Sequence, residues 1–199
     1  MVSISHSTPL EPYAARELLA RYDAATAEQR ERGRAWYPEY QRRMRRLARE
    51  TGYTLRQAAS VGAITSPNSQ LETNLHWTCE ILHGRRSYGQ YRGSQESKIR
   101  RVLTGAIRPQ DGAIGPKVSV FYRAIMGDPT AITLDRWAAH AAGLDRQSVP
   151  NREQRELLRR VYHRAAELTG ETPRDLQAIV WTQARDADAR GDLSDITKG

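Results

Sequence analysis

The chain has 199 residues, a formal charge of +8 from 31 Lys+Arg against 23 Asp+Glu, and one cysteine. A single thiol excludes a disulfide framework, a four-thiolate zinc site and a cysteine-bound iron–sulfur cluster. Mean hydropathy is −0.72, and no apolar run approaches the roughly 18 residues of a membrane span.

Residues 1–11 have neither the charged start nor the continuous apolar stretch of a secretory signal. The expectation is a single domain over residues 1–199, monomeric and cytoplasmic. A basic excess of this size points to a polyanionic partner, and no membrane partner is expected. Only Lys98, Lys117 and Lys198 are lysines, so 28 of the basic residues are arginines.

Taken in chain order, the apolar spacing is helical almost throughout. Leu18, Leu19 and Tyr22 mark a helix over 11–25 that opens on Glu11-Pro12. An Arg-rich helix over 27–50 follows, interrupted by Pro38, with Trp36, Tyr37, Tyr40, Met44 and Leu47 as its apolar stripe and Gly52 as its end. Capping boxes beginning at Thr54, Ser69 and Asn151 open helices near 55–65, 70–83 and 152–169, with Gly84 and Gly170 where C-terminal caps belong. Helices over 95–104 and 116–126 flank a turn-rich connection at 105–116, and a polar loop at 84–94 carries Arg85, Arg86, Tyr88, Tyr91 and Arg92. A helix over 134–142 takes Thr133 as its N-cap, and a last helix at about 173–189 puts Leu176, Ile179, Val180 and Trp181 inward. The period-2 alternation of strands is nowhere sustained, so the fold class is all-α. The organisation reads as N-terminal helices over 1–54, a core over 55–145 with a hairpin near 105–117, C-terminal helices over 146–189 and a frayed tail over 190–199.

Charge is polarised along the chain. Residues 85–123 hold nine basic and two acidic side chains, whereas 171–195 hold six acids and three arginines. The middle is the positive pole, where a phosphate backbone would meet the protein; a solvated basic face is the alternative.

The sharpest constellation lies between 112 and 137. Gly112-Ala113-Ile114-Gly115 feeds a helix whose first residue is Pro116, and such a glycine turn aims backbone N–H groups outward as a nest for phosphate. Lys117 then falls in the first helical turn, where the macrodipole disfavours a cation by roughly 0.3–1 kcal/mol. A nearby phosphate would offset that cost. Alternatively, the site favours amine chemistry, which a guanidinium cannot perform. Asp135, placed in the first turn of the next helix, meets the opposite field: the dipole stabilises its carboxylate, as suits a group that stabilises positive charge developing on a sugar.

The stretches Gly112 to Lys117 and Ala131 to Asp135 resemble the helix-hairpin-helix DNA glycosylases, relatives of endonuclease III, whose pattern is Leu-Pro-Gly-hydrophobic-Gly-x-Lys, a helix and an aspartate at the next helix start. Upstream, Ala63 to Asn68 followed by Asn74 is similar to the family's Leu-Ser-x-Gln/Asn segment. The resemblance covers about residues 55–145, with Ala113 at the first hairpin glycine and Trp137 where the family often carries histidine. It implies an all-α bundle of two lobes around a cleft, DNA as partner, and action on an extruded base by N-glycosidic cleavage. Lys117 then matches the Schiff-base lysine of the lyase-competent members, Asp135 the catalytic carboxylate, and Asn68 the amide that fills the flipped-base space. DNA contacts fall to Arg85, Arg86, Arg92, Arg108, Gly112, Ile114 and Gly115. The single cysteine excludes the iron–sulfur branch. Segment 34–77 also resembles small phage and actinobacterial relatives, some proposed to build hypermodified thymidines. The alternatives are therefore a base-hypermodifying enzyme using the same pocket, or a non-catalytic DNA-binding module.

No cofactor or metal is expected. His76, His83, His140 and His163 form no His-Glu-x-x-His arrangement, and Ser66 and Ser69 lack the strand–elbow setting of a hydrolase nucleophile. Cys79, between Trp77 and Ile81, reads as a small core residue.

Overall fold

A computed structural model describes residues 10–67, 69–85, 94–144 and 150–190. Among them every regular element is helical: α1 (Leu10–Ala24), α2 (Ala27–Thr51), α3 (Leu55–Thr65), α4 (Leu71–Leu82), α5 (Ser94–Leu103), α6 (Pro116–Ile125), α7 (Arg136–Ala141), α8 (Arg152–Thr169) and α9 (Pro173–Arg190), with a 3-10 turn at Pro109–Asp111. None of these helices is long and apolar enough to cross a membrane.

The chain divides into two compact units, Met1–Trp36 with Ile132–Gly199, and Tyr37–Ala131. The first, built from both chain ends, has a core of Ala14 and Leu18 (α1), Ala138, Ala139 and Ala141 (α7), Leu158, Val161 and Tyr162 (α8), and Leu176 and Val180 (α9). Alanine dominates the α7 contribution, so its backbone lies close to its neighbours. Tyr162 places its hydroxyl on the Ala138 carbonyl, 3.0 Å away. Gly33 admits the same intimacy on α2, since a Cβ there would fall 2.6 Å from the Ile179 Cα.

The second unit centres on α3, whose residues Ala58 to Thr65 are all buried, and which packs against α4, α5 and α6. Tyr37, Tyr40 and Met44 of α2 close this core, the two tyrosine rings lying 6.2 and 5.7 Å from the single phenylalanine, Phe121. Inside it runs a polar network. Asn74 accepts from the Tyr40 hydroxyl at 2.5 Å and donates to the Gly62 carbonyl at 3.0 Å and to Thr65 Oγ1 at 2.8 Å.

Four local expectations change. Pro38 does not interrupt α2, which is continuous through it. A proline inside a helix costs about 3 kcal/mol, and the buried contacts of Gly33 on one side and Tyr37, Tyr40 and Met44 on the other outweigh it. The box at Ser69 does not form: Ser69 Oγ donates instead to the Thr65 carbonyl, and Gln70 takes the N-cap position without a side-chain bond. Cys79 is half-buried rather than core, with Sγ 3.5 Å from His83 Nδ1. Thr133 is not the cap of α7; Asp135 is. The boxes at Thr54 and Asn151 form as read.

Candidate nucleic-acid interface

The hairpin segment of the middle unit is built from backbone conformation. After α5, the N–H groups of Ala106 and Ile107 both donate to the Arg101 carbonyl, and Gln57 Nε2 donates to the Leu103 carbonyl at 2.8 Å. These bonds fix the chain's exit. Arg108 is extended and exposed, Pro109 is buried as the first residue of the 3-10 turn, and Gly112 turns the chain in the left-handed region at φ 74°, ψ −2°. Ile114 is only 1% exposed and anchors the loop inward. Gly115 follows at φ 100°, ψ 150°, a region that essentially only glycine populates. Its N–H closes the turn on the Gly112 carbonyl at 2.9 Å.

Pro116 then starts α6, and no side chain caps that start. A Cβ added at Gly112 or Gly115 would meet nothing within 4 Å, so the outer side of the loop is open. Neither glycine is there because of crowding; both are demanded by their positive φ. Lys117, the next residue, is exposed. The structure therefore places Arg108, Gly112, Gly115 and Lys117 along one open turn, with Ile114 and the α6 residues Val118, Phe121 and Tyr122 buried. Ile114 faces the core, so its share in any contact with DNA is confined to its backbone.

Arg85 is exposed, 3.9 Å from Glu80. Of the other basic residues near the hairpin, Arg100 pairs with Glu96 at 2.8 Å and Arg123 is held by Asp128. Burial pushes the Asp128 carboxyl up, but bonds from Thr130 and Arg123 outweigh it and leave it below its ordinary value. Asn68, Arg86 and Arg92 lie outside the described residues, as do Tyr88 and Tyr91.

Asp135 belongs to the other unit. Its backbone is extended, at φ −112° and ψ −171°, and Oδ1 accepts from the N–H groups of Trp137 and Ala138 at 3.0 Å each. The carboxylate thus sits at the N-cap, not in the first turn, and serves the helix start directly. The displacement has a cause in Gln177, which is 6% exposed. Its Oε1 accepts from the Thr133 N–H at 2.9 Å and its Nε2 donates to the Thr133 carbonyl at 2.6 Å. Both backbone groups of Thr133 are spent there, and the chain stays extended until Asp135. Sequence reading missed Gln177; the available signal was one amide inside the apolar run Leu176 to Val180.

Asn74 also changes role. The resemblance places it beside the segment that offers an amide to DNA, yet it is 3% exposed and its amide is engaged within the core. Among the described residues no group of three or more His, Cys, Asp and Glu side chains could hold a metal ion.

No curated protein and no solved structure matches this chain. One family model does, over residues 2–188, so the chain belongs to the family described as "Family of unknown function (DUF7178)".

Proposed function

We propose that this protein is a DNA-binding enzyme of the helix-hairpin-helix glycosylase type that acts on an extruded base. The observation that carries the reading is the turn at Gly112 to Lys117. It combines two glycines at positive φ, an open outer side, and a helix start with no side-chain cap. Such a turn presents main-chain donors at the positive end of a helix dipole, which suits backbone phosphate and reads no sequence. Arg108 and Arg85, both exposed, add charge that can neutralise neighbouring phosphates.

In this reading Lys117 is the nucleophile. Its neutral amine attacks C1′ of the sugar as the N-glycosidic bond breaks; the base departs with the bonding pair and takes up a proton. Loss of one Nζ proton and opening of the sugar ring then give a protonated Schiff base between Nζ and C1′, that proton ending on O4′, while the proton on the departing base comes from water. Asp135 stabilises the positive charge on the sugar or takes the proton lost by the attacking amine. Its Oδ1 is held by two backbone N–H groups, which supports the first of these roles.

The test is binding of a fluorescent duplex containing one abasic-site analogue, compared with the same duplex unmodified. Tighter binding of the modified duplex, weakened at least tenfold by Gly115→Ala with helix content unchanged, supports the reading. Equal binding of both duplexes by a folded protein contradicts action on an extruded base. It would leave a DNA-binding module.

A further inference from the structure

The basic residues that the hairpin reading gathers all lie beyond residue 84, yet the densest arginine array is elsewhere. The C-terminal half of α2 carries Arg42, Arg43, Arg45, Arg46 and Arg49, against Glu39 and Glu50. At 100° per residue, Arg42, Arg45, Arg46 and Arg49 fall within one sector about 100° wide. That sector faces away from the buried residues Tyr37, Tyr40, Met44 and Ala48. All four arginines are exposed, Arg42 and Arg46 by 69% and 77% of their side chains. Arg43 lies off the sector and approaches Glu72 at 3.7 Å.

The carboxylates near this stripe do not consume it. Arg46 pairs with Glu50 at 2.7 Å and Arg42 reaches Glu39 at 3.5 Å, both along the helix. Exposed pairs of this kind are worth about 0–1 kcal/mol and exchange readily for a stronger anion. Arg45 donates to the neutral Gln41 Oε1 at 3.0 Å, and neither Arg45 nor Arg49 has a carboxylate partner within salt-bridge distance among the described residues.

We infer that this arginine stripe is a second nucleic-acid contact, one that grips the phosphate backbone of a strand, separate from the hairpin turn. Three observations select that partner. Four guanidinium forks, at successive spacings of three, one and three residues, span about 10 Å of helix, the rise of roughly three phosphates along one strand. Guanidinium matches phosphate by paired N–H donors, which a run of lysines would not. And the stripe has no apolar border. Leu168, in the other unit, is the one large apolar side chain exposed among the described residues. A membrane-surface helix requires an apolar flank to insert, and a protein interface requires an apolar centre; α2 offers neither, because its apolar face is already buried.

The inference rests on the nucleic-acid partner of the proposed function but not on its chemistry. The experiment is the salt dependence of binding to an unmodified duplex of about 20 base pairs, with the full chain and a fourfold variant, R42Q/R45Q/R46Q/R49Q. Circular dichroism and urea unfolding check that the variant folds; a matching fourfold Arg→Lys variant keeps the charge if the glutamines disturb the helix. Each lost phosphate contact lowers the slope of log affinity against log salt by about 0.9. Loss of about three contacts means that raising salt from 50 to 200 mM weakens the glutamine variant about 40-fold less than wild type. The lysine variant retains a slope close to wild type. Equal slopes for wild type and the glutamine variant overturn the stripe and leave the hairpin reading intact. No duplex binding by wild type overturns both. Tighter binding to polyglutamate than to the duplex, lost in the glutamine variant, overturns the nucleic-acid assignment in favour of an acidic protein.

Discussion

The side-chain amide of Gln177 brackets the backbone of Thr133, accepting from its N–H at 2.9 Å and donating to its carbonyl at 2.6 Å. The Thr133 carbonyl also receives the N–H of Asp135, at 3.1 Å. One buried glutamine on α9 thereby sets the conformation of the strand-like approach to α7 and the position of the carboxylate at its start. Gln177→Ala leaves the buried Thr133 N–H unmet, at about 1–3 kcal/mol, and removes one of the two bonds to the Thr133 carbonyl, worth about 1 kcal/mol more. The expected loss is about 3 kcal/mol of unfolding free energy, measured by urea denaturation.

Asp135 has two duties that substitution separates. Asp135→Ala removes the acceptor for two N–H groups and costs about 1 kcal/mol of stability. Asp135→Asn keeps an equivalent cap, so its urea midpoint stays close to wild type. If the carboxylate also stabilises a sugar cation, release of base falls at least 100-fold in both variants. Stability and base release measured side by side distinguish the duties. Equal base release by Asp135→Asn and wild type would leave Asp135 a helix cap alone.

The Tyr40 hydroxyl is fixed by its bond to Asn74 and stands 2.5 Å from where a Cβ on Gly62 would lie. Gly62→Ala therefore forces the hydroxyl away from Asn74 or the helices apart, at a cost of about 1–3 kcal/mol. Tyr40→Phe relieves the clash but leaves the Asn74 oxygen without its donor. The double variant is expected to be destabilised by less than the sum of the two single changes, and a double-mutant cycle in urea measures that coupling.

How much of this was legible in sequence depended on how local the deciding contact was. The caps at Thr54 and Asn151 are read correctly because donor and acceptor lie three residues apart. Thr133 and Asp135 are both good caps, and the choice between them is made by Gln177, 44 residues downstream of Thr133. Asn74 enters the sequence reading only as the residue that follows the segment ending at Asn68, because nothing near it in sequence shows that Tyr40, 34 residues earlier, engages its oxygen. The turn at Gly112 to Pro116 was legible because its conformation demands glycine, and glycine is visible in a sequence. The α2 stripe was legible only in part. The arginines were evident, but which sector of α2 faces outward follows from the burial of Tyr37, Tyr40, Met44 and Ala48.

Glu171 ties α1 and α2 to the start of α9. It accepts from the Tyr22 hydroxyl at 2.9 Å and from Arg34 at 2.5 Å. Burial pushes its carboxyl up, but the bonds from Arg34 and Tyr22 and the charges of Arg34 and Arg30 outweigh this, leaving it below its ordinary 4.5. A depressed carboxyl contributes stability that is complete above its unfolded value and is lost as pH falls through the folded one. Urea unfolding between about pH 6 and pH 3 should show stability falling toward the acid end, less steeply in Glu171→Gln, which lacks the titrating group.

The proposed role of Lys117, as the amine that meets an extruded nucleotide at the hairpin, has a direct covalent readout. Borohydride added to the protein with a duplex containing one abasic site reduces any Schiff base to a stable secondary amine joining Nζ to C1′. A one-to-one protein–DNA adduct is expected, mapped to Lys117 by mass spectrometry and lost in Lys117→Ala while that variant still binds the duplex. No adduct, or one that persists in Lys117→Ala, would contradict that role.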